Sequence, residues 1–160
     1  MSQRTPHPSP PARSTTDRFG LGPIDQVGYV VADLDSSLPR YEALFGPFQV
    51  GEVAIDGARF RGCEIDCRLK IATHDEGPVE IELIQVLAGE TPHTEHLRRH
   101  GEGPQHVRFR ITDIEAKMAE LEAAGYEDIF FKRFGPDVAF TYMESPPEMG
   151  SALIELLEMP

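Results

Sequence analysis

Gln26, Glu82, His106 and Glu155 are the residues of this chain whose types and spacing suit chemistry, because they stand at matched places in an internal repeat. Ile24-Asp25-Gln26-Val27-Gly28-Tyr29-Val30-Val31-Ala32-Asp33-Leu34 returns as Pro104-Gln105-His106-Val107-Arg108-Phe109-Arg110-Ile111-Thr112-Asp113-Ile114, so that Gln26 falls against His106 and Asp33 against Asp113. Each copy ends in a second matched segment, Ile81-Glu82-Leu83-Ile84 in the first and Ile154-Glu155-Leu156-Leu157 in the second. A repeat of this size is one supersecondary module. Each module carries a ligand-type side chain on its first strand and a glutamate on its last, and two modules face to face would bring four ligands together. Two carboxylates, an amide oxygen and an imidazole make a mostly oxygen site, suited to a hard or borderline divalent cation. The glutamates would neutralise the ion, and an octahedral ion would keep open positions for adjacent substrate oxygens, so that it could act as a Lewis acid on an enolate or enediolate.

Strand alternation adds Arg108, which shares a face with His106. Its guanidinium either clamps a substrate carboxylate or phosphate, or forms an internal salt bridge. Proton abstraction beside a carbonyl needs a base within reach. Glu155 and Glu80 (on the face of Glu82) are the candidates for it. His93, His96 and His100 lack a further ligand at useful spacing and read as the polar face of an exposed linker, and Arg98 and Arg99 read equally as contacts for a ligand's phosphates or as solvent-facing charges. Cys63 and Cys67 are the only cysteines; four residues apart in a strand, they read as reduced packing thiols of a cytosolic protein.

The elements that must position these residues follow from periodicity and turn chemistry. The pattern predicts a strand over 26–31, then a helix from Asp33 as N-cap through 36–45, stopped by Gly46-Pro47. Residues 48–86 are extended, broken by turns at Asp56-Gly57 and at 74–78. Residues 88–103 form a linker with a short helix over 95–100. The second copy predicts a strand over 106–111, a helix over 113–124, and strands over 127–133, 138–143 and 152–159. The fold class is therefore α+β, two tandem βαβββ modules, with module one at 23–87 and module two at 104–160, preceded by a disordered arm over residues 1–22 rich in Pro, Ser, Thr and Arg. At 160 residues the chain can bury a single core. Its net charge of −12 argues against nucleic acid and anionic membranes as partners. No apolar run approaches the ~20 residues of a spanning helix.

Tandem modules with these strand motifs resemble the vicinal oxygen chelate superfamily of glyoxalases, epimerases, dioxygenases and bleomycin-resistance proteins, over about residues 24–159. The stretch Ile81-Glu82-Leu83-Ile84-Gln85-Val86 through Gly101-Glu102-Gly103-Pro104-Gln105-His106, with Leu153-Ile154-Glu155-Leu156, is most similar to the methylmalonyl-CoA epimerase branch. The resemblance implies a glyoxalase-like fold in which each module curls into a half-barrel around a cleft. It implies one divalent metal ion (Co, Zn, Ni, Mn or Mg) on Gln26, Glu82, His106 and Glu155. The activity implied is a metal-dependent isomerase or epimerase working through a metal-stabilised enolate on a small molecule such as an acyl-CoA, in a cytoplasmic homodimer. The alternatives are a glyoxalase-type lyase on a small oxoacid or thiohemiacetal, and a non-catalytic, bleomycin-resistance-like binding protein. Gln26 stands where most relatives have histidine, although eukaryotic-type glyoxalase I also uses glutamine there; it argues against an extradiol dioxygenase, whose iron triad needs that histidine. Two further departures bear on the substrate. Gln105 replaces the first histidine of the usual pair, and Arg108 replaces a small residue, which the first copy keeps as Gly28. None of Glu52, Asp56 and Glu64 aligns with the glutamate that the epimerases place on an earlier strand of module one.

Overall fold

The computed structural model describes residues 18–160. The expected arm lies outside the described residues up to residue 17, but its end is seated: Phe19 packs edge-on against Tyr126 with ring centroids 6.1 Å apart. Leu21 packs on the same apolar cluster and Lys117 donates to the Phe19 carbonyl, and these contacts together correct the disordered reading for residues 18–22.

Module one runs β1 (Gln26–Val30), α1 (Leu34–Phe45), β2 (Gln49–Phe60), β3 (Cys63–His74) and β4 (Glu80–Ala88). The linker holds α2 (Pro92–His100). Module two repeats the order as β5 (Gly103–Ile111), α3 (Ile114–Glu122), β6 (Glu127–Gly135), β7 (Val138–Glu144) and β8 (Leu153–Glu158). Asp33 and Asp113 cap the two repeat helices alike, accepting from the N–H of Ser36 at 3.2 Å and of Ala116 at 3.0 Å. The predicted turn at Asp56-Gly57 is instead a bulge inside β2, where the Gly57 N–H donates to Asp66. The hairpin turns at Arg61-Gly62, both residues left-handed with φ of 47° and 81°. A two-residue turn of that hand matches strand twist, and Arg-Gly is a weaker turn signal in sequence than Asp-Gly.

The strands order as β1-β4-β3-β2-β6-β7-β8-β5 and close into a barrel. In each module the first strand lies parallel to the last, and the modules meet along antiparallel β1 and β5. On the far side the ladder between β2 and β6 is short, Arg59 with Phe131 and Phe60 with Phe130, and contacts of Arg59 with Asp128 and of Lys132 with the Asp56 carbonyl extend it. The helices α1 and α3 cover the outside, with Leu34 and Leu83 buried under one and Ile114, Leu121 and Leu156 under the other. Inside, Ile55, Leu69, Ile84, Phe130, Phe140 and Tyr142 pack across the two half-barrels. Cys67 belongs to this core and Cys63 is exposed; both are free thiols.

Candidate metal centre

The four central strands β4, β1, β5 and β8 line up so that their inward residues form two rungs. One runs Glu82, Gly28, His106; the other runs Glu80, Gln26, Arg108, Glu155. Parallel pairing within modules and antiparallel pairing between them produce this register, so residues far apart in sequence become neighbours. All four expected ligands converge on one point. His106 Nε2 lies 3.3 Å from Gln26 Oε1, 3.2 Å from Glu155 Oε2 and 3.6 Å from Glu82 Oε2. Ligand-type atoms of Glu82, His106 and Glu155 all fall within 4.8 Å of one another.

Neighbouring groups settle which atoms face inward. Gln105 Oε1 lies 3.1 Å from His106 Nδ1 and offers an acceptor for a ring proton there; with the proton on Nδ1, Nε2 presents a bare lone pair. Gln26 Nε2 donates to Glu80 Oε1 at 2.6 Å, which turns the amide oxygen toward His106. Glu80 is in turn held by Arg108 at 3.3 Å. With Glu82 ionised, four lone-pair-bearing atoms face one another at one point, a set that fits a divalent cation.

Gly28 makes room for this arrangement. A Cβ at position 28 would stand 1.9 Å from His106 Cε1 and 2.4 Å from Nε2, so the imidazole lies flat over bare backbone. The sequence reading set Gly28 against Arg108 as repeat equivalents, but in the sheet Gly28 pairs with His106 and Gln26 with Arg108.

Arg108 is buried, and of its two expected roles the internal salt bridge is present. It donates to both oxygens of Asp25, at 2.9 and 3.2 Å, and lies beside Glu80. Burial alone would raise the Asp25 carboxyl, but bonds from Arg108 and Arg110 pull it below the ordinary carboxylate range. Glu80, named above as a candidate base, is committed to Gln26 and Arg108 and orients the amide. Among the sites set aside, His96 and His100 stack on each other on α2, whereas His93 is corrected: it is completely buried, not on an exposed linker face. Thr91 caps α2 and turns position 93 inward, where the ring meets Tyr142. A single histidine in a polar segment carries no sequence signal of that placement, because its burial depends on where the linker crosses the barrel.

The centre opens into a chamber of about 190 Å³, lined by Val53, Ile55, Leu69, Ile71 and Ile84 of module one and by Phe130, Phe140 and Tyr142 of module two. Glu82 and Glu155 are the carboxylates that line it. Glu52, Asp56 and Glu64 are exposed on the outside, Glu52 paired with Arg68.

Burial, with the Glu155 carboxylate next to it, pushes the Glu82 carboxyl up to about 8 in the absence of a cation. The folded protein thus holds a proton that the unfolded chain, with an ordinary value near 4.5, has released. Stability of the metal-free protein therefore falls as pH rises from about 4.5 toward 8. A cation must displace that proton. Metal affinity is expected to rise with pH below about 8, by up to about tenfold per unit, and then level off. Chelator competition with Mn²⁺ from mildly acidic to mildly alkaline pH reads this directly, and a flat profile would contradict it.

The sequence matches the family model of the Glyoxalase/Bleomycin resistance protein/Dioxygenase superfamily over residues 25–142. Similar solved structures include methylmalonyl-CoA epimerase from Mycobacterium tuberculosis, at 23% identity and TM-score 0.61, covering 86% of this chain and 87% of that one. A hypothetical protein from Bacillus halodurans aligns at 22% identity and TM-score 0.63, covering 86% and 94%. A Streptomyces coelicolor methylmalonyl-CoA epimerase in complex with 2-nitronate-propionyl-CoA aligns at 23% identity and TM-score 0.58, covering 85% and 96%. At these identities the likeness is one of fold. No curated protein matches the sequence.

Proposed function

This chain belongs to the glyoxalase/bleomycin resistance protein/dioxygenase superfamily, and from that premise we propose that it is a metal-dependent isomerase, similar to methylmalonyl-CoA epimerase, that moves a proton on the carbon beside a carbonyl. The observation that carries this reading is the convergence of four ligand-type atoms, from Gln26, Glu82, His106 and Glu155, on one buried point. These four residues would hold a divalent ion, which would supply Lewis-acid stabilisation of an enolate. Glu155 takes the proton, since Glu80 is held by Gln26 and Arg108. Gln105 fixes the His106 tautomer, Glu80 orients Gln26, and the aliphatic walls of the chamber keep bulk water from the carbanion. Arg108 serves the same site from behind, holding Glu80 while its own charge stays balanced by Asp25. A cytoplasmic, reducing environment fits the two free thiols.

One observation favours a second reading, a glyoxalase-type lyase on a small oxoacid or thiohemiacetal. The module-one wall of the chamber is aliphatic, and Glu52, Asp56 and Glu64 all lie outside it, so no carboxylate of β2 or β3 faces Glu155 across the cavity.

Two measurements separate these from a non-catalytic binding protein. The purified chain is expected to take up one equivalent of Co²⁺, Ni²⁺, Mn²⁺ or Zn²⁺ with a rise in Tm. The loaded protein is then expected to exchange the α-proton of methylmalonyl-CoA or a related acyl-CoA in heavy water. Metal uptake with isomerisation of a glutathione thiohemiacetal, and no acyl-CoA exchange, would transfer the assignment to the lyase. Absence of metal uptake would sink both.

A further inference from the structure

The proton arrangement around His93 leaves a hydroxyl facing the chamber with no acceptor for its hydrogen among the described residues. Thr91 and His93 are both completely buried. Thr91 Oγ1 accepts the capping bond from the Thr94 N–H at 3.4 Å and lies 3.2 Å from His93 Nδ1. Among the described residues, Nδ1 is the acceptor available to the Thr91 hydroxyl hydrogen. A buried hydroxyl without an acceptor is costly, so Thr91 donates to Nδ1 and His93 keeps its proton on Nε2. Nε2–H then donates to the Tyr142 oxygen, 3.2 Å away. The Tyr142 O–H is thereby left without an acceptor among the described residues, in a wall it shares with Glu82 and Glu155. Its ring is fixed on two sides, lying over His106 with centroids 4.9 Å apart and edge-on to Phe130 at 5.7 Å. Burial holds His93 neutral, its imidazolium pulled down to about 3, which keeps the relay in this one state across the ordinary pH range.

We propose that the Tyr142 hydroxyl, aimed by His93, is a substrate contact of this chamber that donates a hydrogen bond to an oxygen of a carboxylate- or enolate-bearing ligand. The inference rests on the metal-centre reading above and adds a specificity element to it. Tyr142 touches the ligand, and His93 is a positioning residue that acts through it. The class selected is a small molecule with neighbouring oxygens and an apolar remainder, since most of the rest of the wall is aliphatic, with Phe130, Phe134 and Phe140 opposite.

Oxalate, a small dianion with neighbouring oxygens, is the probe, titrated into Mn²⁺-loaded protein and followed by calorimetry and water proton relaxation. Tyr142→Phe keeps the ring on His106 and removes only the hydroxyl. It is expected to leave Mn²⁺ affinity within about twofold, to lower Tm by a few degrees because the buried His93 Nε2–H loses its acceptor, and to weaken oxalate by about 10- to 100-fold, as for a lost bond to a charged acceptor. His93→Gln, which keeps an N–H donor, is expected to retain more oxalate affinity than His93→Leu, a rescue that a purely structural role would not produce. If His93→Leu fails to fold, Tyr142→Phe decides alone. Equal oxalate affinity in wild type and Tyr142→Phe overturns the proposal, as does Mn²⁺ uptake without oxalate binding. Failure of the wild type to take up Mn²⁺ sinks the metal reading itself, and this proposal with it.

Discussion

Alanine at position 28 is expected to leave the chain folded and its metal centre unusable. The added Cβ would meet His106 Cε1 at 1.9 Å, a contact that forces the imidazole off the point shared with Gln26, Glu82 and Glu155. Overpacking of this kind costs about 1–3 kcal/mol, which the eight-stranded barrel should survive. Displacing a ligand costs more than losing a residue that merely supports one, for which ~10–100-fold in metal affinity is usual. Mn²⁺ or Co²⁺ binding to Gly28→Ala should thus fall ~100-fold or more, with Tm lowered by a few degrees. Gly51→Ala is the control, because a Cβ there meets nothing within 4 Å. Unchanged metal affinity in Gly28→Ala would mean that His106 does not hold the metal.

Glu155→Gln should give two effects of opposite sign. In the metal-free protein the Glu155 carboxylate adds to burial in raising Glu82. Above about pH 8, where Glu82 has also lost its proton, neutralising Glu155 removes a like-charge repulsion, so the metal-free variant should there be more stable than wild type, by on the order of 1 kcal/mol or a few degrees in Tm. The same change deletes an anionic ligand and the base, so the rise in Tm on adding metal should largely disappear. Proton exchange on the substrate should fall by about 10²–10⁴-fold. Calorimetry with and without Co²⁺, beside the heavy-water exchange rate, reads all three. General damage to the fold would lower Tm in both states and sink this account. The residues that serve the metal are those the empty protein would be more stable without.

Much of this was legible in the chain. Gln26, Glu82, His106 and Glu155 could be placed together from the repeat, because a duplicated module must put equivalent strands at equivalent places. The N-caps Asp33 and Asp113 were readable too, since capping is local chemistry. The hairpin turn at Arg61-Gly62 was missed because two stretches of the strand pair could have turned, and cross-strand register chose between them.

What sequence could not decide was anything that depends on which strand lies beside which. The repeat alignment matched Gly28 to Arg108, yet antiparallel pairing of β1 and β5 sets Gly28 under His106 and Gln26 beside Arg108. That crossing turns Arg108 into the partner of Asp25 and Glu80, and makes Gly28 a seat for a ligand. His93 lies in a polar linker, and only the path of α2 across the barrel carries it against Tyr142. The duplicated sequence determined two half-barrels and the four acceptors they bring together. The closed barrel decided how those acceptors are oriented, because orientation is set by neighbours across strands and those neighbours are distant in the chain.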